Sequence, residues 1–169
     1  MRLWRIATET RDYKATDLSG AGSAKAPGRW NNENQPVVYC STSIALAVLE
    51  TAAHVDTTGL PLNRFLVEIA VPDSVWDKRQ EFNPAELPAT WCAIPAGAGS
   101  VAEGSGWLAS NDSLLLLVPS VIVPEERNAL INPRHPDALQ INARVARPFE
   151  YDRLFRPAAA GGAALIGAP

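Results

Sequence analysis

Pro36-Val37-Val38-Tyr39-Cys40-Ser41-Thr42-Ser43-Ile44-Ala45-Leu46-Ala47-Val48-Leu49-Glu50 holds the switch from strand to helix on which the fold turns. Val37 to Cys40 is β-branched and aromatic and reads as a strand. Ser41-Thr42-Ser43 offers N-cap hydroxyls, so Ile44 to His54 reads as a helix. That helix is apolar nearly all round, which predicts burial on most sides and seats Glu50 in greasy surroundings.

Toward the N-terminus, Leu3 to Ile6 reads as a first strand. Between them lies Asp17-Leu18-Ser19-Gly20-Ala21-Gly22-Ser23-Ala24-Lys25-Ala26-Pro27-Gly28, polar and glycine-rich, which reads as loop. Its glycines match neither G-K-[ST] nor G-x-G-x-x-G between strand and helix, so P-loop and Rossmann architectures are set aside. Toward the C-terminus, Arg64 to Val71 alternates in the manner of a half-buried strand that Pro72 stops. Residues 73–96 read as turns and short helical pieces. Ser100 to Ser110 reads as a helix weakened by Gly104 and Gly106. Ser113 to Val118 and Val121 to Val123 read as strands joined through a bend at Pro119-Ser120. Ala129 to Ile131 extends the sheet, Asn132 to Pro136 is a turn, Asp137 to Asn142 a short helix, and Arg144 to Tyr151 a last strand.

Strands and helices in mixed order, without regular βαβ alternation, indicate an α+β fold. The expectation is a single compact domain over residues 1–156 with a mixed, largely antiparallel sheet. Residues 157–169 are low in complexity and are expected to form a tail without fixed structure.

The 169 residues suffice for one core, and 47% hydrophobic and 20% charged residues are ordinary globular values. A net charge of −3 draws the chain toward neither nucleic acid nor anionic membrane. Arg127, Arg134, Arg144, Arg147, Arg153 and Arg156 are scattered among acids and form no basic stripe. Cys40 and Cys92 are far apart and make neither a disulfide framework nor, with only His54 and His135, a metal pattern. The N-terminus lacks a signal-peptide core, and the apolar run Leu114 to Val123 is too short to span a bilayer. A soluble, cytoplasmic protein is expected.

No G-x-S-x-G elbow and no cysteine–histidine nucleophile pair is present. What remains are polar residues at the ends of apolar elements: Arg29, Tyr39, Glu50 and Ser120. Each has a structural reading: a surface ion pair for Arg29, a core aromatic for Tyr39, the wet stripe of a helix for Glu50, a bend for Ser120. Together they also suit an anionic ligand with a cleavable glycosidic bond. Arg29 can grip phosphate oxygens, and Tyr39 can stack on a heterocycle. Glu50 can serve a ribose hydroxyl, an attacking water or an oxocarbenium-like transition state, and the Ser120 hydroxyl can donate to a phosphate or ribose oxygen.

Leu3-Trp4-Arg5-Ile6, Asp17-Leu18-Ser19-Gly20, Gly28-Arg29-Trp30-Asn31, Pro36 to Ser43, Ala45 to Glu50 with His54, Ser113 to Ser120 and Asn132 to Pro136 form an ordered series. In it the chain resembles the RES-domain family, named for an arginine, a glutamate and a serine. The resemblance covers about residues 3–156 and is weak over 72–112 apart from Gly106-Trp107-Leu108. It implies an ADP-ribosyltransferase-like fold and the role of a toxin in a bacterial toxin–antitoxin pair that degrades NAD⁺. It maps the family arginine, tyrosine, glutamate and serine onto Arg29, Tyr39, Glu50 and Ser120, with Arg29, Tyr39 and Ser120 binding NAD⁺. NAD⁺ enters as substrate, with no prosthetic group and no metal. The implied partner is a helix-turn-helix, Xre-like antitoxin that covers the NAD⁺ cleft, while homo-oligomerisation stays open. Transfer of ADP-ribose to a protein is the first alternative, and a non-catalytic interaction module on the same scaffold the second.

Overall fold

The computed structural model describes residues 1–11, 13–53 and 63–151. His54 and the alanine-rich tail lie outside the described residues. In chain order the elements are β1 (Arg2–Thr8), α1 (Ala21–Lys25), β2 (Val38–Ser41), α2 (Ile44–Ala52), β3 (Arg64–Ala70) and α3 (Asp73–Trp76). There follow β4 (Gln80–Glu81), α4 (Ala98–Ser110), β5 (Leu115–Pro119), β6 (Arg127–Ile131), a 3₁₀ turn (Pro136–Gln140) and β7 (Asn142–Phe149).

The seven strands among the described residues form one sheet in the order β4-β5-β6-β2-β1-β3-β7. Every pairing is antiparallel except β4 with β5. The α+β reading with a mixed, largely antiparallel sheet is what the structure shows. Its central strands are covered on both faces, which is why Leu114 to Val118 is a continuous apolar run rather than an alternating one. Leu115 and Leu117 pack with Leu3, Val38, Val67 and Ile131 on one face. Leu116 and Val118 pack with Trp30, Trp91, Trp107 and Leu130 on the other.

Several sequence expectations change. The glycine-rich stretch is not all loop: Ala21 to Lys25 makes one short helix, entered through Gly20 in the left-handed region. Val121 to Val123 is no strand. The chain bends there and closes with Ser120 N donating to Glu126 O at 3.1 Å. The strand expected to begin at Ala129 begins at Arg127, and the last strand begins at Asn142. Helix α2 is buried only through Leu46 and Ala47. Ile44 and Ala45 at its start are exposed, so an all-apolar sequence overstated its burial. No described helix is long and apolar enough to cross a membrane.

Helix α4 tolerates Gly104 because it needs it. A Cβ at Gly104 would lie 2.0 Å from the Trp30 carbonyl oxygen, whereas one at Gly106 would meet nothing within 4 Å. The two glycines that make the helix look weak in sequence therefore have opposite roles. Gly104→Ala forces backbone apart and should cost about 3 kcal/mol or more of unfolding free energy. Gly106→Ala on the exposed side should add about 0.5–1 kcal/mol. Chemical denaturation of both variants checks this, and equal effects of the two would contradict it.

Candidate active site

Glu50 stands in the last turns of α2, whose start is fixed by Ser43. The Ser43 hydroxyl caps the helix by accepting from Leu46 N at 3.1 Å. It also donates to Glu126 Oε2 at 3.2 Å, and Thr42 donates through both N and Oγ1 to Arg127 O. Helix entry and the start of β6 are thus tied together. Glu50 reaches back over the sheet to that strand: Asn128 Nδ2 donates to its Oε1 in a short hydrogen bond. Ser120 Oγ donates to the same oxygen at 2.7 Å. The sequence-predicted glutamate and serine, 70 residues apart, are in direct contact.

Ser120 is fully buried in the bend after β5. Its Oγ accepts from Ile122 N at 3.1 Å and Val123 N at 3.0 Å. Both lone pairs are occupied, so its one proton goes to Glu50. The bend reading of Ser120 holds, and its proton goes to Glu50 rather than to the phosphate or ribose oxygen expected of it.

Tyr39 and Arg29 form a second pair. Tyr39 OH accepts from Trp30 N at 3.0 Å and donates to Asn31 Oδ1 at 2.8 Å. Asn31 Oδ1 also accepts from Gly28 N, and its amide donates to the carbonyls of Ser23, Asn32 and Gln35. A Cβ at position 28 would lie 2.7 Å from the phenol, so glycine is what lets the ring approach. Arg29 Nη1 donates to Trp91 O at 2.7 Å and Ala93 O at 2.8 Å. It makes no ion pair with a described carboxylate, which removes the surface ion-pair reading. Burial pushes the Tyr39 phenol up to about 12, against the opposing Trp30 hydrogen bond and Arg29 charge.

Strand register unites the two pairs. Ser41 Oγ donates to Asn128 Oδ1 at 2.7 Å across the β2–β6 pairing, so both side chains lie on one face. Tyr39, two residues before Ser41, projects from that same face about 7 Å away along the strand. Its cross-strand neighbour Leu130 belongs to the core of Trp30 and Trp91, whose backbones flank Arg29. Glu50, Ser120, Tyr39 and Arg29 therefore gather on one face of the sheet. Asn128, Ser41 and Asn31 were missed in the sequence. Asn31 and Ser41 stood inside quoted motifs, but Asn128 fell just outside the strand expected at Ala129. Among the described residues no group of three or more His, Cys, Asp or Glu is placed to hold a metal.

The Tyr39 phenol yields a pH prediction. The folded chain holds this proton to about pH 12, the unfolded chain only to 10. The stability this contributes is complete below pH 10 and disappears as pH rises through 12; Cys40, raised by burial to about 12, acts in the same direction. Removing the phenol by Tyr39→Phe should flatten the alkaline fall in unfolding free energy by about 2 kcal/mol. Denaturant titrations at pH 8 to 11.5 read this slope, and an unchanged slope contradicts it.

Comparison with known proteins places the chain among relatives. The family model described as the RES domain matches residues 2–153. A Sphingobium protein named "Prs ADP-ribosylating toxin" is 54% identical over 156 residues, covering 92% of this chain and 97% of that one. A Pseudomonas putida protein named "Toxin Res" is 37% identical over 160 residues, covering 92% and 100%. A "Toxin Res" of Yersinia enterocolitica is 38% identical over 135 residues, covering 80% and 86%. Among solved structures, the M. tuberculosis MbcT–MbcA toxin–antitoxin complex includes a chain that shares the fold. It aligns with a TM-score of 0.59 at 17% identity, over 85% of this chain and 80% of that chain. The sheet, the ordered motifs and these relatives have one conclusion: the chain belongs to the RES-domain family.

Proposed function

We propose that this protein is the toxin of a bacterial toxin–antitoxin pair and consumes NAD⁺ by breaking its nicotinamide–ribosyl bond. The observation that carries the reading is the Glu50 carboxylate, tethered by Ser120 and Asn128 on the sheet face that also bears Tyr39 and, beside it, Arg29. Scission of the C1′–N bond sends its electron pair to the pyridinium nitrogen, releasing neutral nicotinamide and leaving positive charge on the ribose. A fixed carboxylate stabilises that charge more in the transition state than in the bound substrate. Nicotinamide is already a competent leaving group, so the step needs no acid at this site. Arg29 has its Nη1 on the Trp91 and Ala93 carbonyls, and its Nε and Nη2 remain for phosphate oxygens. The Tyr39 ring, held by its hydroxyl, supplies a rigid face for a planar heterocycle.

The acceptor decides the product. Water gives ADP-ribose, phosphate gives its phosphorylated form, and a protein side chain gives an ADP-ribosylated protein. Depletion of NAD⁺ to a small-molecule product is the first reading. Transfer to a protein is the second, favoured by the name of the 54% identical relative. The partner that silences the toxin is an antitoxin of the helix-turn-helix, Xre-like type, seated over the same sheet face.

Incubation with NAD⁺ labelled in the ADP-ribose half, with and without phosphate and with bacterial Prs protein, separates these outcomes. Free nicotinamide with labelled small product supports depletion, and labelled protein supports transfer. Intact NAD⁺ in every arm overturns the enzyme reading. Glu50→Gln should lower turnover about 10²- to 10³-fold in a folded protein. Arg29→Ala should raise KM about 10-fold or more, the scale of a lost charge-assisted contact. Wild-type turnover by Glu50→Gln, or an unchanged KM in Arg29→Ala, removes the residue from the site.

A further inference from the structure

We propose that Asn128 is a positioning residue for Glu50, and that Ser41 acts through it by fixing which end of the Asn128 amide meets the carboxylate. The kinetic consequences rest on the NAD⁺-cleaving reading above; the relay itself does not.

An asparagine amide has a donor end and an acceptor end of nearly the same shape, so its orientation must be set by its neighbours. Ser41, almost fully buried in β2, donates to Asn128 Oδ1 at 2.7 Å and thereby claims the acceptor end. Nδ2 is left to face Glu50 Oε1. The reversed amide would set a carbonyl oxygen against a carboxylate oxygen. Ser120 cannot reverse either, since Ile122 N and Val123 N occupy its lone pairs. Two donors of fixed polarity, one from the bend after β5 and one from β6, therefore converge on a single carboxylate oxygen.

Two anchors do what one cannot. Asn128 adds to the Ser120 bond a second donor from another strand, which narrows how the carboxylate can pivot. A misplacement near 1 Å at a reacting centre costs about 10²-fold in rate. A neutral amide is suited to the task, because a lysine there would neutralise the charge that the ribosyl cation needs, whereas an amide orients it and leaves it negative.

The test is steady-state NAD⁺ consumption by the full chain. Asn128→Ala should lose about 10-fold or more in kcat with KM little changed. Ser41→Ala should lose less, about 3-fold, and the double variant should lose no more than Asn128→Ala alone, because the two act through one contact. Asn128→Asp keeps the shape and replaces the donor with an acid. Two carboxyls in contact share a proton, so its kcat should fall with rising pH through a step that wild type lacks. Wild-type kcat in Asn128→Ala, a loss confined to KM, or additive losses for Ser41→Ala and Asn128→Ala overturns the proposal while leaving the NAD⁺ reading intact.

If wild type leaves NAD⁺ untouched, that reading fails alone, and the relay is read from the side-chain amide resonances of Asn128. They should shift on Ser41→Ala and on Glu50→Gln. Resonances that ignore both substitutions overturn the relay as well.

Discussion

The structure depends most on how a carboxylate in a half-buried helix is hydrogen-bonded. Removing a carboxylate from water is unfavourable unless donors replace the lost hydration. On α2 the residues before Glu50 are apolar and offer none. Two donors come from the sheet side, Ser120 in the bend after β5 and Asn128 in β6. Their demand fixes where α2 lies, and the Ser43 and Thr42 bonds to Glu126 and Arg127 fix where it begins. Helix and sheet are joined at both ends through polar contacts, which is why so apolar a helix can leave Ile44 and Ala45 exposed. The joint also has a chemical consequence: the charge that orders the helix is the charge proposed to act on a ribosyl cation.

The Tyr39 end is built on a different principle. The phenol is mostly buried and neutral, and its hydroxyl closes a ring of contacts through Trp30, Asn31 and Gly28. Asn31, itself buried, spends its amide on three backbone carbonyls of the 23–35 segment. The segment that carries Arg29 is thus held by a tyrosine on the sheet and an asparagine in the loop. Arg29 in turn grips the carbonyls at 91 and 93, drawing the chain between α3 and α4 toward the same place. Here sequence reasoning saw Tyr39 and Arg29 but not the Asn31 that joins their segments. It offered Arg29 a surface ion pair or a phosphate, while the structure uses its Nη1 to hold backbone.

What was legible in the sequence was the part governed by short-range pattern. The strand-to-helix switch at residues 37–50, the alternation of β3 and the leucine run of β5 all follow from local periodicity and capping, and the architecture followed from their order. Elements set by distant partners were not legible. Val121 to Val123 has strand-forming composition, yet Ser120 spends its hydroxyl on the amides of Ile122 and Val123, folding the segment into a bend. Asn128 carries no local sign of its importance, because both of its partners lie more than 70 residues away in sequence. The relation of Glu50 to Ser120 came from family resemblance, and its contact distance only from the coordinates.

Register links these observations. On β2, Val38 and Cys40 point into one core while Tyr39 and Ser41 face the candidate site. Moving this short strand by one residue would exchange the two sets, setting a phenol and a hydroxyl in the apolar core without their partners and presenting a valine and a thiol to Glu50. Such a slip is opposed from both sides: Val38 and Cys40 are needed in the apolar core, and Ser41 is needed by Asn128. The same alternation that makes four residues a stable central strand therefore spaces an aromatic ring and a carboxylate anchor about 7 Å apart. In this chain the register that fills the core is also the register that builds this face. Changes that silence the site without unfolding the chain must act at the side chains on that face, and the backbone beneath them stays as the apolar face requires.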